Sequence, residues 1–224
     1  MWSFKSSFYS LVLFASKYLY FTATLLCLLY LIGFPKKGKT YRIFTFYIIG
    51  VLLIDIIASN LWKWFKIYNI FIHHFYVLFQ FVMLSYFYST LLQTKKQLLT
   101  VYILLIFLPI FLLSRYLFNP QMFLEYSLLE MYLGTMPIII YATMHLYNNL
   151  GKQKDFYYAN LGILLYLFAS TFIFLFYELF TVLETNNTIL NNLGVINKVL
   201  QYLKFGFFFY LWKLIYFNKD EKHN

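Results

Sequence analysis

The chain has 224 residues, of which 62% are apolar and 12% charged, against about 45–50% and 25% in a soluble domain. Its mean hydropathy is +0.67 and its formal charge +10, and a water-soluble fold of this size could not hide so much apolar surface. The eighteen basic residues collect between apolar runs rather than along a stripe, so they signal membrane topology and predict no direct contact with nucleic acid.

The sequence predicts an all-α polytopic transmembrane helical bundle of about seven spans. It is expected as a single bundle over residues 1–217 with a short tail at 218–224. A span needs about 20 mostly apolar residues. Seven stretches meet this: Leu11–Phe34, Ile43–Leu61, Ile70–Leu92, Leu98–Tyr116, Met122–Leu146, Phe156–Phe180 and Leu190–Trp212. Lys17 interrupts the first apolar run and no small-x-small cleavage site follows it, which favours an uncleaved first span over a signal peptide. Cys27 lies in that run and is the single cysteine, so no intramolecular disulfide is available.

The connections are short and carry helix-breaking residues: Gly33-Phe34-Pro35, Asn119-Pro120, Asn148-Asn149-Leu150-Gly151 and Asn186-Asn187-Thr188. Pro109 and Pro137 fall inside spans and predict kinks. Trp2, Trp62, Trp64 and Trp212 all stand at predicted span ends, where amphipathic rings favour the headgroup level.

With the N-terminus outside, one face holds Lys36, Lys37, Lys39, Arg42, Lys95, Lys96, Lys152 and Lys154, joined by Lys213, Lys219 and Lys222. The opposite face holds only Lys5, Lys63, Lys66 and Arg115. Cytoplasmic loops carry the excess of cations, so this asymmetry predicts N-out, C-in in a bacterial inner membrane. The first eight form a cationic cytoplasmic surface suited to anionic headgroups or to a cytoplasmic protein.

Ionisable groups inside a bilayer are costly, so they face the bundle or water and find partners. Asp55, His73, His74, Gln80, Glu125, Glu130, Glu178, Lys198 and Gln201 are read as candidates for a polar chamber. Most belong to the outer half of their spans, and the chamber would either bind a ligand or pair charges between helices. Lys204 lies further along the last span and His145 near the inner end of the fifth.

His73 and His74 are adjacent and point about 100° apart on a helix, which disfavours joint ligation of a metal. No nucleophile elbow, phosphate loop, paired cysteines or zincin motif is present. No cofactor, no metal and no enzymatic activity are expected.

His74-Phe75-Tyr76, Gln80-Phe81 and Leu84-Ser85-Tyr86-Phe87 in the third span carry a resemblance, together with Leu161-Gly162-Ile163-Leu164-Leu165-Tyr166 and Asn197-Lys198. In these patterns, its size and its span content, the chain resembles small multi-pass proteins of AT-rich bacterial genomes. Within that group it is similar to the accessory membrane proteins encoded beside the RNA-guided RNA nuclease of type VI-B CRISPR loci. The resemblance implies a modulator of antiviral defence, in one branch a repressor of the nuclease, and carries no functional residue with it. Two other functions fit the composition. One is a seven-helix sensor with a small ligand in the outward chamber; the other is a channel or carrier formed by a homo-oligomer.

Overall fold

A computed structural model describes residues 18–35, 37–65, 70–150, 156–183 and 187–217. Most of these residues are helical, with no strand among them. In chain order the helices are α1 (Tyr18–Ile32), α2 (Lys39–Phe65), α3 (Ile70–Leu91), α4 (Lys95–Phe118), α5 (Leu128–Asn148), α6 (Tyr157–Val182) and α7 (Asn187–Phe217). A short 3-10 turn, Pro120–Leu124, lies between α4 and α5. The all-α membrane class therefore holds: α3, α4, α6 and the Lys39–Leu61 stretch of α2 are each long and apolar enough to cross a bilayer. The described part of α1 is a shorter apolar helix. The start of the expected first span, at Leu11, and the tail at 218–224 lie outside the described residues.

The expected fifth span, Met122–Leu146, differs at its start. Pro120 opens the 3-10 turn, where its fixed φ and missing N–H suit a first helical position. The α-helix begins only at Leu128, where the Ser127 hydroxyl accepts from the Glu130 amide at 3.4 Å. Thr94 caps α4 in the same way, accepting from Gln97 at 3.3 Å.

The chain divides into two compact units, Tyr30–Asp155 on the one hand and Met1–Leu29 with Phe156–Asn224 on the other. In the first, α3 is central, packing against α2, α4, α5 and the 3-10 turn. Accordingly it buries Ile72, Val77, Phe81, Leu84, Phe87 and Tyr88 around much of its circumference. In contrast, α4 buries only Val101, Leu108 and Leu112, one face at helical spacing. Its remaining surface exposes Leu99, Ile103, Ile106, Phe107 and Ile110. A helix that shows isoleucine and phenylalanine outward is stable against lipid, not water.

Rings hold the helices in register. Phe44 of α2 lies 5.1 Å from Phe87 of α3, and Tyr88 lies 6.1 Å from Tyr141 of α5. The Tyr41 hydroxyl donates to the Tyr30 carbonyl at 2.9 Å. That bond ties the last turn of α1 to the first turn of α2. In the second unit α6 packs on α7, with the Tyr158 and Tyr210 rings 4.6 Å apart. The Trp212 indole N–H, on α7, donates to the Leu29 carbonyl at 2.9 Å.

Close helix approach depends on glycine at three points, the first being Gly50 of α2, where a Cβ would overlap the Phe79 ring of α3. A Cβ on Gly134 of α5 would overlap Val77 of α3, and one on Gly162 would meet Phe207 Cβ at 2.9 Å and the Lys204 carbonyl at 3.3 Å. Gly194 and Gly206 have nothing within 4 Å of that position. Gly134→Ala is expected to cost about 1–3 kcal/mol through overpacking, which outweighs the gain of about 1 kcal/mol in helix propensity. Gly206→Ala should be neutral or stabilising. Thermal unfolding in detergent compares the two.

Candidate functional site

The most concentrated polar chemistry lies at one end of the Tyr30–Asp155 unit. There the second turn of α3, the last turn of α4 and the first turn of α5 converge. His74 Nδ1 and Glu130 Oε2 are 2.5 Å apart, with both side chains almost wholly buried. The Tyr116 hydroxyl lies 3.1 Å from the same ring nitrogen. His74 Nδ1 is thus the point where the Glu130 carboxyl and the Tyr116 phenol meet.

Ser127-Leu128-Leu129-Glu130 has the spacing of a capping box, in which Glu130 would turn back to its own helix start. The carboxylate reaches across to α3 instead. Pairing with His74 is what makes a buried carboxylate tolerable in this setting.

The 3-10 turn closes over the pair. Phe123 stacks on the His74 ring at 5.4 Å and meets Tyr116 edge-on at 5.3 Å. Phe71 and Phe75 flank Phe123 at 6.2 and 5.8 Å. Beside them the His73 ring lies 5.0 Å from Tyr126. The Nε2 atoms of both His73 and His74 are buried and make no hydrogen bond.

The structure thus brings together His73, His74 and Glu130 from the expected chamber, and adds Tyr116, which the sequence reading missed. Tyrosine occurs 23 times in this chain, so no single one stands out; only its place at the α4 end, one turn before Asn119-Pro120, marks it.

The other candidates lie elsewhere. Gln80 is buried on α3 and accepts from the Tyr76 hydroxyl at 2.9 Å, one turn away on its own helix. Asp55 is exposed on α2, and Glu125 is exposed in the link before α5. Glu178, Lys198 and Gln201 belong to the other unit. Glu178 and Lys198 are half-buried there, and the Gln201 amide lies 3.4 Å from the Tyr166 hydroxyl. In that unit Lys204 is buried with its ammonium 3.9 Å above the Tyr166 ring, a cation–π contact inside a helix pair.

The cationic residues occupy the opposite end of the Tyr30–Asp155 unit. Lys39 and Arg42 open α2, and Lys95 and Lys96 open α4; all four are exposed, and Lys37 beside them is half-buried. Both helices run antiparallel to α3, so these openings share one end. A reciprocal amide pair, Gln97 with Asn148 at 2.8 and 3.3 Å, ties the start of α4 to the end of α5 there. His145 and Asn149 are buried at the same end, 2.9 Å apart. Lys36, Lys152 and Lys154 lie outside the described residues.

The His74 cluster can hold and pass a proton, since carboxyl, imidazole and phenol sit in direct contact. Among the described residues no three histidine, cysteine, aspartate or glutamate side chains are placed to share a metal ion. No protein-family model matches the chain, and comparison with curated proteins and with solved structures finds no match.

Removing one partner of a buried pair leaves the other uncompensated. His74→Leu and Glu130→Leu are each expected to cost about 3–5 kcal/mol. The double variant should recover most of that loss, because neither polar group then remains. A double-mutant cycle followed by thermal unfolding in detergent measures both.

Proposed function

We propose that this chain is a non-enzymatic, multi-pass protein of a bacterial inner membrane that modulates a cytoplasmic partner. Seven helical passes, with the N-terminus outside and the C-terminus in the cytoplasm, accommodate the described helices. The observation that carries the proposal is the gathering of Lys37, Lys39, Arg42, Lys95 and Lys96 at one end of the Tyr30–Asp155 unit, remote from the His74–Glu130 pair. By the positive-inside rule that end faces the cytoplasm. Only this face can touch a cytoplasmic protein.

Each cation near an anionic leaflet gains about 1 kcal/mol from it. A partner therefore competes with lipid headgroups and must offer an acidic surface. The resemblance to accessory proteins of type VI-B CRISPR loci supplies the candidate, the RNA-guided RNA nuclease, with repression as one direction of control. Direct contact with RNA is not part of the proposal.

A second reading, a membrane sensor, is favoured by a different observation. His74, Glu130 and Tyr116 form a closed polar site at the outer end, where a signal from outside would act.

Lys37→Gln, Lys39→Gln and Arg42→Gln combined should weaken modulation of a co-expressed nuclease's interference while membrane insertion stays normal. Plaque counts with and without the variant provide the measurement. Undiminished modulation by a normally inserted variant would contradict the proposal.

A further inference from the structure

The cationic end of the Tyr30–Asp155 unit is not one uniform surface. We propose that its α4 part is a seat for one anionic phospholipid, whose phosphate lies on Lys95 and Lys96 and whose acyl chain runs along the exposed aliphatic column of α4. The proposal rests on the reading of that end as the contact face and assigns one part of it to lipid. Lys37, Lys39 and Arg42, at the opening of α2, are left to a protein partner.

The charge at the start of α4 is not compensated within the chain. Lys95 and Lys96 are adjacent and exposed, and among the described residues neither makes an ion pair. No acidic residue occurs between Asp55 and Glu125, and the first turn of α4 contains none. Two lysines there also meet the positive end of the helix's own dipole, where cations are disfavoured. An anion at headgroup depth relieves both repulsions, and the phosphate of an anionic lipid stands at that depth. The pair has a fixed base. The Thr94 hydroxyl caps the helix, and the reciprocal bonds of Gln97 and Asn148 hold its first turn to the end of α5.

One turn beyond Lys95 the same face continues as Leu99, Ile103, Ile106 and Ile110, all exposed, at the four- and three-residue steps that keep one line along a helix. From Leu99 to Ile110 is about 16 Å along the axis, the depth of one leaflet of a hydrocarbon core about 30 Å thick. Cations and column together match a phospholipid, with the headgroup at the interface and a chain along the helix. A free phosphate would engage only the cations. On α2 the corresponding line from Arg42 through Phe46 is interrupted before Leu53. There Ile49 and Gly50 are half-buried, and the Phe79 ring of α3 packs against Gly50. The α2 cations are thus exposed without an unbroken track beside them, which suits a partner in the aqueous phase.

The test is native mass spectrometry of the full chain released from detergent micelles, titrated with phosphatidylglycerol or with phosphatidylcholine of the same chains. One phosphatidylglycerol should bind saturably ahead of any further lipid, and phosphatidylcholine should show no such first step. Lys95→Gln combined with Lys96→Gln should weaken that step about 30-fold, the loss of two cation–headgroup contacts. Both lysines are exposed and the Thr94 cap is kept, so the variant should fold, which thermal unfolding checks. Inorganic phosphate in excess should not displace the lipid. Lys39→Gln with Arg42→Gln should leave the step unchanged, as should Arg115→Gln at the opposite end. Equal binding of the two lipids, an unweakened Lys95→Gln, Lys96→Gln variant, displacement by phosphate, or an equal loss in the α2 variant would overturn the seat. No nuclease is present in this measurement, so its failure leaves partner modulation to its own test.

Discussion

Hydrocarbon as the solvent is the constraint on which the rest of this molecule depends. Within lipid no water is available to pair a backbone N–H or C=O, so each spanning segment must close its hydrogen bonds internally as a helix. That requirement accounts for a chain whose described residues are helices joined by short turns. It also accounts for the inverted surface of α4, where Ile103, Ile106, Phe107 and Ile110 face outward while only Val101, Leu108 and Leu112 are covered. With no hydrophobic drive between helices in such a solvent, shape and polar contacts must specify the packing. Gly134 against Val77 and the ring contacts of Phe44, Phe87, Tyr88 and Tyr141 supply the shape.

The same constraint sorts the polar groups of the Tyr30–Asp155 unit into two ends with different chemistry. Exposed lysines and an arginine gather where α2 and α4 begin, free to meet headgroups or an acidic protein. At the other end the carboxylate of Glu130 is withdrawn and matched to His74, whose ring nitrogen the Tyr116 hydroxyl also approaches, beneath an aromatic cover. One end can exchange partners; the other is closed. In the second unit, Lys204 shows a different solution to the same problem, with its ammonium set on the face of Tyr166.

Much of the architecture was legible in the sequence because its signals are local. Asn119-Pro120 ends α4 at Phe118, and Asn148-Asn149 ends α5 at Asn148, as the breaker residues predict. The delayed start of α5 was less legible, since Met122–Tyr126 is apolar enough to read as span. Its 3-10 turn follows from Pro120 and the Ser127 cap, which hydropathy does not register. Of the site, the histidines and Glu130 were recognisable as costly residues in apolar runs, yet their pairing was not. Residues 56 positions apart are joined only by the way α3 and α5 pack. Tyr116 was hidden among many tyrosines, and Gln80, which looked equally telling, satisfies itself on its own helix. The division into two units leaves no mark in composition, because both are built from the same apolar alphabet.

The central claim is that these helices are stable only when surrounded by hydrocarbon. Sedimentation of the purified chain after exchange from detergent into plain buffer tests it directly, with the same sample in detergent as the reference. The account predicts one homogeneous species in micelles and polydisperse aggregate without them. A monodisperse, fully helical protein in detergent-free buffer would contradict it.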